Sequence, residues 1–257
     1  MSNWSNATII ENKEITPGIY EILLSAKEVA ELAKPGQFIN IYSSSEAQLL
    51  PRPISICEIN KEEGVLTLVY AVVGKGTKRL SNMTPKETIN IMGPLGNGFD
   101  IKTEVEESII VGGGVGVPPL LELVKQLGGR KIAYLGFRSD IFLVEEFEKY
   151  CSKVYIATED GSVGFKGNVV ELMNDTNPAG NQIYSCGPKP MLRAVNEWAE
   201  EKSIPTQLSF EERMACGIGA CLVCTCKTQK EHEPDWENRR VCKDGPVFLG
   251  DEVVWDV

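Results

Sequence analysis

Over the first hundred residues apolar and polar positions alternate in short runs, TIIENKEI, IYEILLSA, QFINIYS and GVLTLVYAVV, separated by turn signals such as PG, EEG and GPLG. A period of two in runs this short predicts antiparallel strands, and several in succession predict a barrel or sandwich over residues 1–102. From about residue 103 the rhythm changes. ESIIVGGG leads into VPPLLELVKQLG, KIAYLGF and VYIATED follow, and NQIYSCGP leads into MLRAVNEWAEEK. Near-continuous apolar strands alternating with amphipathic helices predict a parallel sheet covered on both faces over residues 103–206. Residues 207–257 lose both periods, and this loop-rich segment holds five of the eight cysteines. The predicted class is β + α/β: an antiparallel β-barrel, a parallel-sheet nucleotide-binding domain and a small C-terminal cysteine domain. No internal repeat or low-complexity segment interrupts them.

Composition narrows the function classes. Hydrophobic residues at 42% and charged residues at 24% belong to a folded chain. The net charge of -10 excludes nucleic acid or an anionic membrane as main partner, because a phosphate-rich surface needs dense basic charge. The start, MSNWSNATIIENKEITPG, has no basic stretch followed by an apolar one, and the most apolar later stretch, SIIVGGGVGVPPLLELV, is broken by glycine and proline. A cytoplasmic protein without a membrane span is expected. In that compartment a disulfide framework is disfavoured, so clustered cysteines point to metal binding or catalysis. Cys57 and Cys151 lie in ordinary sequence and read as small buried hydrophobes.

The cluster MACGIGACLVCTCK has the spacing C-x4-C-x2-C at Cys216, Cys221 and Cys224, with seventeen residues between Cys224 and Cys242. That is the plant-type pattern of a [2Fe-2S] site, whose fourth cysteine arrives from downstream. Gly217 and Gly219 permit the backbone turns that let thiolates and amides converge. A Rieske centre needs two histidines, and His232 is the one histidine present; within KEHEPDWENRR it reads as a solvated loop residue. Structural zinc more often takes two C-x2-4-C pairs and stays as an alternative. Cys226 could replace Cys224, but C-x4-C-x4-C is the poorer match, so Cys226 is expected to be no ligand.

A one-electron cluster calls for redox partners upstream. Residues 52–55, RPIS, follow a strand pattern, and residues 73–77, VGKGT, follow another. A guanidinium offers a fixed fork to a phosphate, and a Gly-x-Gly-Thr turn offers amides and a hydroxyl. Read singly, RPIS is an edge-strand turn and GKGT a hairpin turn. GGGVGVPP, residues 112–119, lies between an apolar strand and a helix whose N-terminal amides can hold a pyrophosphate, although the strict G-x-G-x-x-G is absent. CGP, residues 186–188, ends another strand, and ligands collect at the carboxyl ends of parallel strands.

The ordered set RPIS, GKGT, GPLGNGF, GGGVGVPP, TEDGSVGFKG, CGPKPM and EERMACGIGACLVC, with RVCKDGPVF, resembles the ferredoxin reductase-like flavoproteins. Within them it is similar to the electron-transfer subunits of type B dihydroorotate dehydrogenases, over nearly the whole chain. The resemblance implies a FAD domain over 1–102, an NAD domain over 103–206 and a [2Fe-2S] domain over 207–257. It implies that Arg52, Pro53, Ile54 and Ser55 hold FAD, that Val69, Tyr70 and Ala71 line the flavin, and that Gly76 and Thr77 bind its pyrophosphate. Gly113, Gly114 and Gly116 would face the NAD co-substrate, with Cys186, Gly187 and Pro188 at the place of hydride transfer and Cys186 as the catalytic candidate. Glu159 and Asp160 are candidates for ribose contacts. Cys216, Cys221, Cys224 and Cys242 would bind the cluster. The implied partner is an FMN-containing dihydroorotate dehydrogenase catalytic subunit, in a heterotetramer with two copies of each, serving pyrimidine (UMP) biosynthesis.

Two other readings stay open. One is a small subunit of an NADPH:ferredoxin or sulfide dehydrogenase complex; the other is a zinc-stabilised flavin-binding interaction module. NAD and NADP are also undecided, since Arg138 and Ser139 after KIAYLGF could meet a 2'-phosphate.

Overall fold

In the computed structural model, which describes residues 3–42, 50–102, 105–229 and 235–255, the alternating runs form a closed antiparallel barrel. Its strands are β1 (Asn3–Thr16), β2 (Ile19–Ser25), β3 (Phe38–Tyr42), β4 (Arg52–Asn60), β5 (Val65–Ala71) and β6 (Thr88–Leu95), bonded in the order β1-β2-β5-β4-β3-β6. Alternation decides which side chains go inside: Ile22 and Leu24, Ile39 and Ile41, Leu66 and Leu68, Ile89 and Ile91 share one buried core. Helices α1 (Lys27–Leu32) and α2 (Lys75–Ser81) add Val29, Ala30 and Leu80 to it.

The second unit runs β7 (Glu107–Gly113), α3 (Pro118–Gln126), β8 (Arg130–Phe137), α4 (Val144–Glu148), β9 (Lys153–Thr158), β10 (Phe165–Lys166), α5 (Val169–Thr176), β11 (Gln182–Cys186), α6 (Lys189–Glu201) and β12 (Thr206–Ser209). After the cysteine segment, with its short hairpin of β13 (Thr225–Thr228) and β14 (Glu237–Arg240), the chain returns as β15 (Val247–Leu249). The sheet order is β10-β9-β8-β7-β11-β12-β15, parallel except for the β12–β15 pair. Helices α3 and α4 bury Leu120, Leu121, Val124 and Phe147 on one face, while α5 and α6 bury Leu172, Met173, Val195 and Trp198 on the other. Cys57 and Val69 of the barrel belong to the first of these cores, so barrel and sheet share a buried interface.

The expected boundary at 206/207 runs through β12. Strands of four and three residues carry no readable period, yet both β12 and β15 complete the nucleotide sheet. The cysteine segment is therefore an excursion between two sheet strands. Among the described residues no helix is long and apolar enough to cross a membrane. His232 lies outside the described residues.

Candidate functional site

At one end of the barrel two strands part. β4 and β5 pair only from Ile56↔Leu68 to Asn60↔Val65, with an irregularity between Ile56 and Glu58. Beyond that point Arg52, Pro53, Ile54 and Ser55 remain bonded to β3, while Val69, Tyr70 and Ala71 remain bonded to β2. The two expected flavin segments thus face one another across an unpaired end, where backbone polar groups are open to a ligand. Strand alternation sorts their side chains. Val69 packs toward the nucleotide sheet, whereas Tyr70 turns into the barrel core and donates its hydroxyl to Asn12 Oδ1 at 3.0 Å, burial pushing its pKa up. Of Tyr70, only the backbone can serve the cleft.

Arg52 and Gly76 are brought together. A β-carbon on Gly76 would overlap the Arg52 guanidinium, so glycine lets this cation lie against the first turn of α2. The guanidinium Nη1 donates to the carbonyls of Leu50 at 2.6 Å and Pro51 at 3.2 Å. The Thr77 hydroxyl accepts from the amides of Val73 at 3.0 Å and Gly74 at 3.2 Å; it closes the turn that presents Gly76 instead of standing free for a phosphate. Beside this pair opens a cavity of about 540 Å³ lined by Arg52, Gly76, Arg79, Lys86, Tyr42 and Asn90, among others. Its cations suit an anionic ligand. Arg79 and Lys86 escaped the sequence reading, although Arg79 sits one helical turn beyond Gly76.

The nucleotide sheet reverses direction at β7, with β8 on one side and β11 on the other. That switch point is where an open parallel sheet leaves a crevice, and both glycine motifs meet there. A β-carbon on Gly116 would overlap the Cys186 carbonyl, and one on Gly113 would come within 2.5 Å of Met191 Sδ and 3.1 Å of Pro188 Cδ. Gly114 instead has φ of +52° with nothing within 4 Å of a β-carbon, so it borders open space. Pro118 and Pro119 occupy the first positions of α3. Proline has no N–H, so the first two positions of α3 supply none of the expected helix-terminal donors, and the turn before them is the 3-10 segment Gly114–Gly116.

Cys186 is buried, which pushes its thiol up to about 12 against an opposing hydrogen bond from Ser209. It lines the crevice as a neutral SH and is no base near neutral pH. Glu159 and Asp160 stand after β9, two strands from β7, and are exposed. Asp160 accepts the Ser162 amide at 2.9 Å, a bond that lowers its pKa. The structure does not bring this pair to the switch point.

In the cysteine loop, Cys216 and Cys221 approach to 3.3 Å between sulfurs, and the Gly219 amide donates to Cys242 Sγ at 3.1 Å. Gly217 and Gly219 have φ of +66° and +79°, the left-handed region that turns successive amides inward. Burial acts to raise the Cys216 thiol, but the amides of Ile218 and Cys221, the Cys221 thiol and the Ala220 amide outweigh it and bring the thiol to about 6. Cys242 goes the other way, up to about 12, through burial and then the adjacent Cys224 thiol. Cys224 and Cys242 are buried with Phe38, Phe210 and Phe248. Among the described residues no three His, Cys, Asp or Glu side chains gather as a single metal ion would need. The sulfurs form two pairs, Cys216 with Cys221 and Cys224 with Cys242, and a two-iron cluster takes two thiolates on each iron. These residues fit that group. Cys226 is buried on β13, its Sγ 3.7 Å from the Lys227 carbonyl, outside both pairs.

A family model described as the iron-sulfur cluster binding domain of dihydroorotate dehydrogenase B matches residues 211–254. The dihydroorotate dehydrogenase B (NAD(+)) electron transfer subunit of Geobacillus sp. (strain WCH70) is 42% identical, over 99% of this chain and 100% of its own length. That of Fusobacterium nucleatum is 42% identical over 96% and 97%. Among solved structures, an NADH-dependent reduced ferredoxin-NADP oxidoreductase superposes with a TM-score of 0.86 at 29% identity, covering 97% of this chain and 90% of that one. The ferredoxin reductase in carbazole 1,9a-dioxygenase shares the fold, with a TM-score of 0.67 at 19% identity over 79% and 67%.

Proposed function

Because this chain belongs to the family of dihydroorotate dehydrogenase B electron transfer subunits, we propose that it carries electrons from the FMN of a separate dihydroorotate dehydrogenase catalytic subunit, through a [2Fe-2S] cluster and FAD, to NAD+, in pyrimidine (UMP) biosynthesis. Residues 1–102 serve FAD, 103–206 serve NAD and 207–257 serve the cluster, with β12 and β15 lent to the nucleotide sheet. When bound, the cluster supplies one-electron transfer, and the flavin supplies both one- and two-electron steps.

The chain's own residues supply position. Arg52 holds the FAD pyrophosphate against the Gly76 amide, with Thr77 keeping that turn closed, and the cavity beyond Arg79 and Lys86 takes the adenosine end. Pro53, Ile54, Ser55, Val69, Ala71 and the Tyr70 backbone border the flavin ring. Gly113, Gly114 and Gly116 admit the dinucleotide, with Gly187 and Pro188 forming the opposite wall. Cys186 lines the hydride-transfer site as a neutral thiol that excludes water and moves no proton. Cys216, Cys221, Cys224 and Cys242 ligate the cluster. Glu159 and Asp160, exposed in the turn after β9, remain candidates for ribose contacts.

The observation that carries this reading is the meeting of three sites at one side of the barrel. β3 supports the cysteine loop, β4 beside it carries the RPIS segment, and Val69 on β5 shares a core with Val117 and Leu120 of the nucleotide unit. The complex is cytoplasmic and a heterotetramer of two copies of each subunit, which light scattering of the co-purified proteins checks.

The central test uses the chain reconstituted with FAD and iron. It should be reddish-brown and reduce dyes with NADH, yet fail to oxidise dihydroorotate until the catalytic subunit is added. Dihydroorotate oxidation by the chain alone, or a merely yellow zinc-loaded protein, would overturn the reading. The TM-score of 0.86 to the ferredoxin-NADP oxidoreductase favours a second reading, a subunit of a ferredoxin-linked complex. A native pull-down that recovers a partner without FMN and with ferredoxin-dependent activity would select it.

A further inference from the structure

Asn40 is fully buried in the middle of β3. Its neighbours Ile39 and Ile41 point into the barrel core, leaving Asn40 and Phe38 on the outer face, which the cysteine segment covers. The Asn40 amide Nδ2 donates to the carbonyl oxygen of Cys216 at 3.1 Å. Gly217 approaches so closely that a β-carbon there would overlap the Asn40 amide. The loop backbone therefore rests directly on this side chain. On the same face of the barrel, Asn40 stands in register with Pro53 of the RPIS segment.

One side chain thus touches the first cysteine of the loop and flanks the strand assigned to the flavin. Donation to Cys216 fixes which way the amide faces, and the remaining oxygen, Oδ1, is buried without a hydrogen-bond partner among the described residues. Such an atom is costly to keep, and an apolar residue of similar volume would avoid that cost. The retained amide is explained by its other end, the bond that pins the loop.

We propose that Asn40 is a positioning residue that clamps the cysteine loop onto β3 and so sets the contact across which flavin and cluster exchange electrons. This rests on the reading of the four cysteines as cluster ligands and of residues 52–55 as flavin ligands. The step is a one-electron transfer: in the working direction the cluster would lose one electron and the flavin gain one, the test below runs it in reverse, and no bond to Asn40 forms or breaks.

The test compares the full chain, loaded with FAD and iron, with its Asn40→Leu and Asn40→Asp variants. The first removes the donor at similar volume, and the second sets a carboxylate against the Cys216 carbonyl. A laser flash with a sacrificial amine donor puts one electron on the flavin, and its arrival at the cluster is followed by visible absorbance. In Asn40→Leu, iron content, flavin content, NADH-to-dye turnover and both midpoint potentials should match wild type. Arrival at the cluster should slow several-fold, since the rate of electron transfer falls exponentially with the separation of donor and acceptor. Wild-type arrival rates in both variants would overturn the proposal. So would a potential shift large enough to explain the slowing, or iron loss from Asn40→Leu, which would make the residue part of the cluster scaffold. If wild type itself fails to pass the electron, the cofactor reading falls, and the proposal with it.

Discussion

Cys57 and Cys216 carry the same thiol into opposite surroundings. Cys57 sits within β4, fully buried among apolar residues, and burial, followed by the charges of Glu58, Glu21 and Glu122, pushes its pKa well above the ordinary range. Cys216 is also partly desolvated, yet three loop amides and the Cys221 thiol bring it down to about 6. Against the burial of Cys57 stands only the charge of Lys125, and no amide offsets it among the described residues. Around Cys216 the positive φ angles of Gly217 and Gly219 release amides toward sulfur. What separates the two thiols is the supply of donors around each sulfur, more than the presence of cysteine. β4 changes partners along its own length: from Ile56 to Asn60 it pairs with β5, and it parts from β5 at Arg52, Pro53, Ile54 and Ser55, which pair with β3.

The largest effect is expected where donors and thiols coincide. Cys→Ser at 216, 221, 224 or 242 should reduce bound iron to background and abolish coupled dihydroorotate oxidation while NADH-to-dye activity persists. Cys226→Ser and Cys57→Ser should keep full iron. Iron analysis with visible spectra of the six variants checks this, and retained iron in Cys242→Ser would break the pairing of the sulfurs. At the open end of β4, Arg52→Ala should weaken FAD by about tenfold to a hundredfold, the weight of a charge-assisted bond of about 1.5–3 kcal/mol. Flavin retention on dilution measures it.

At the paired end of β4 the stakes fall to stability. Glu122 of α3 is buried and accepts the Ile59 amide at 2.8 Å and the Gln126 amide at 2.7 Å, with Lys125 at 3.4 Å. Its carboxylate takes the place of a missing strand neighbour. Glu122→Leu strands the Ile59 N–H and should cost about 1–3 kcal/mol in urea unfolding. Glu122→Gln keeps an acceptor and should cost less than half as much.

The same contrast explains what could be read from sequence. The barrel and the parallel sheet were legible because long runs such as GVLTLVYAVV and ESIIVGGG carry their period openly, and the cysteine spacing was legible because four thiols on two irons leave few geometries. Which part of Tyr70 meets the cleft was not legible while residues 69–71 were treated as one run, because alternation puts the middle side chain on the opposite face. The capping bonds of Thr77 were not legible either, because they depend on where α2 begins. Pro118 and Pro119 stood in plain view, and a proline count at the helix start would have moved the expected donors to the preceding turn. Asn40 gave one weak signal, a polar residue between two isoleucines at an outward position of FINIY. Only the packing of a distant loop gives it meaning.

The smallest effect belongs to Cys57 itself. Cys57→Ala removes one buried sulfur from a packed interface and should cost roughly 1 kcal/mol at pH 7, within the range for small core truncations. Activity should be unchanged. The pH dependence carries the sharper test. Cys57's folded pKa is raised, while the unfolded thiol titrates near about 8.5. Its contribution is therefore fully present below about pH 8.5. Above that the unfolded chain sheds a proton that the folded chain keeps, so wild type loses about 1.4 kcal/mol per pH unit relative to the alanine variant. The stability gap should close and the two curves cross between about pH 9 and 9.5. Urea midpoints of both proteins from pH 7 to pH 10 check it. Parallel curves throughout would mean that Cys57 meets water or a proton acceptor in the fold, and the contrast with Cys216 would then lose its physical basis.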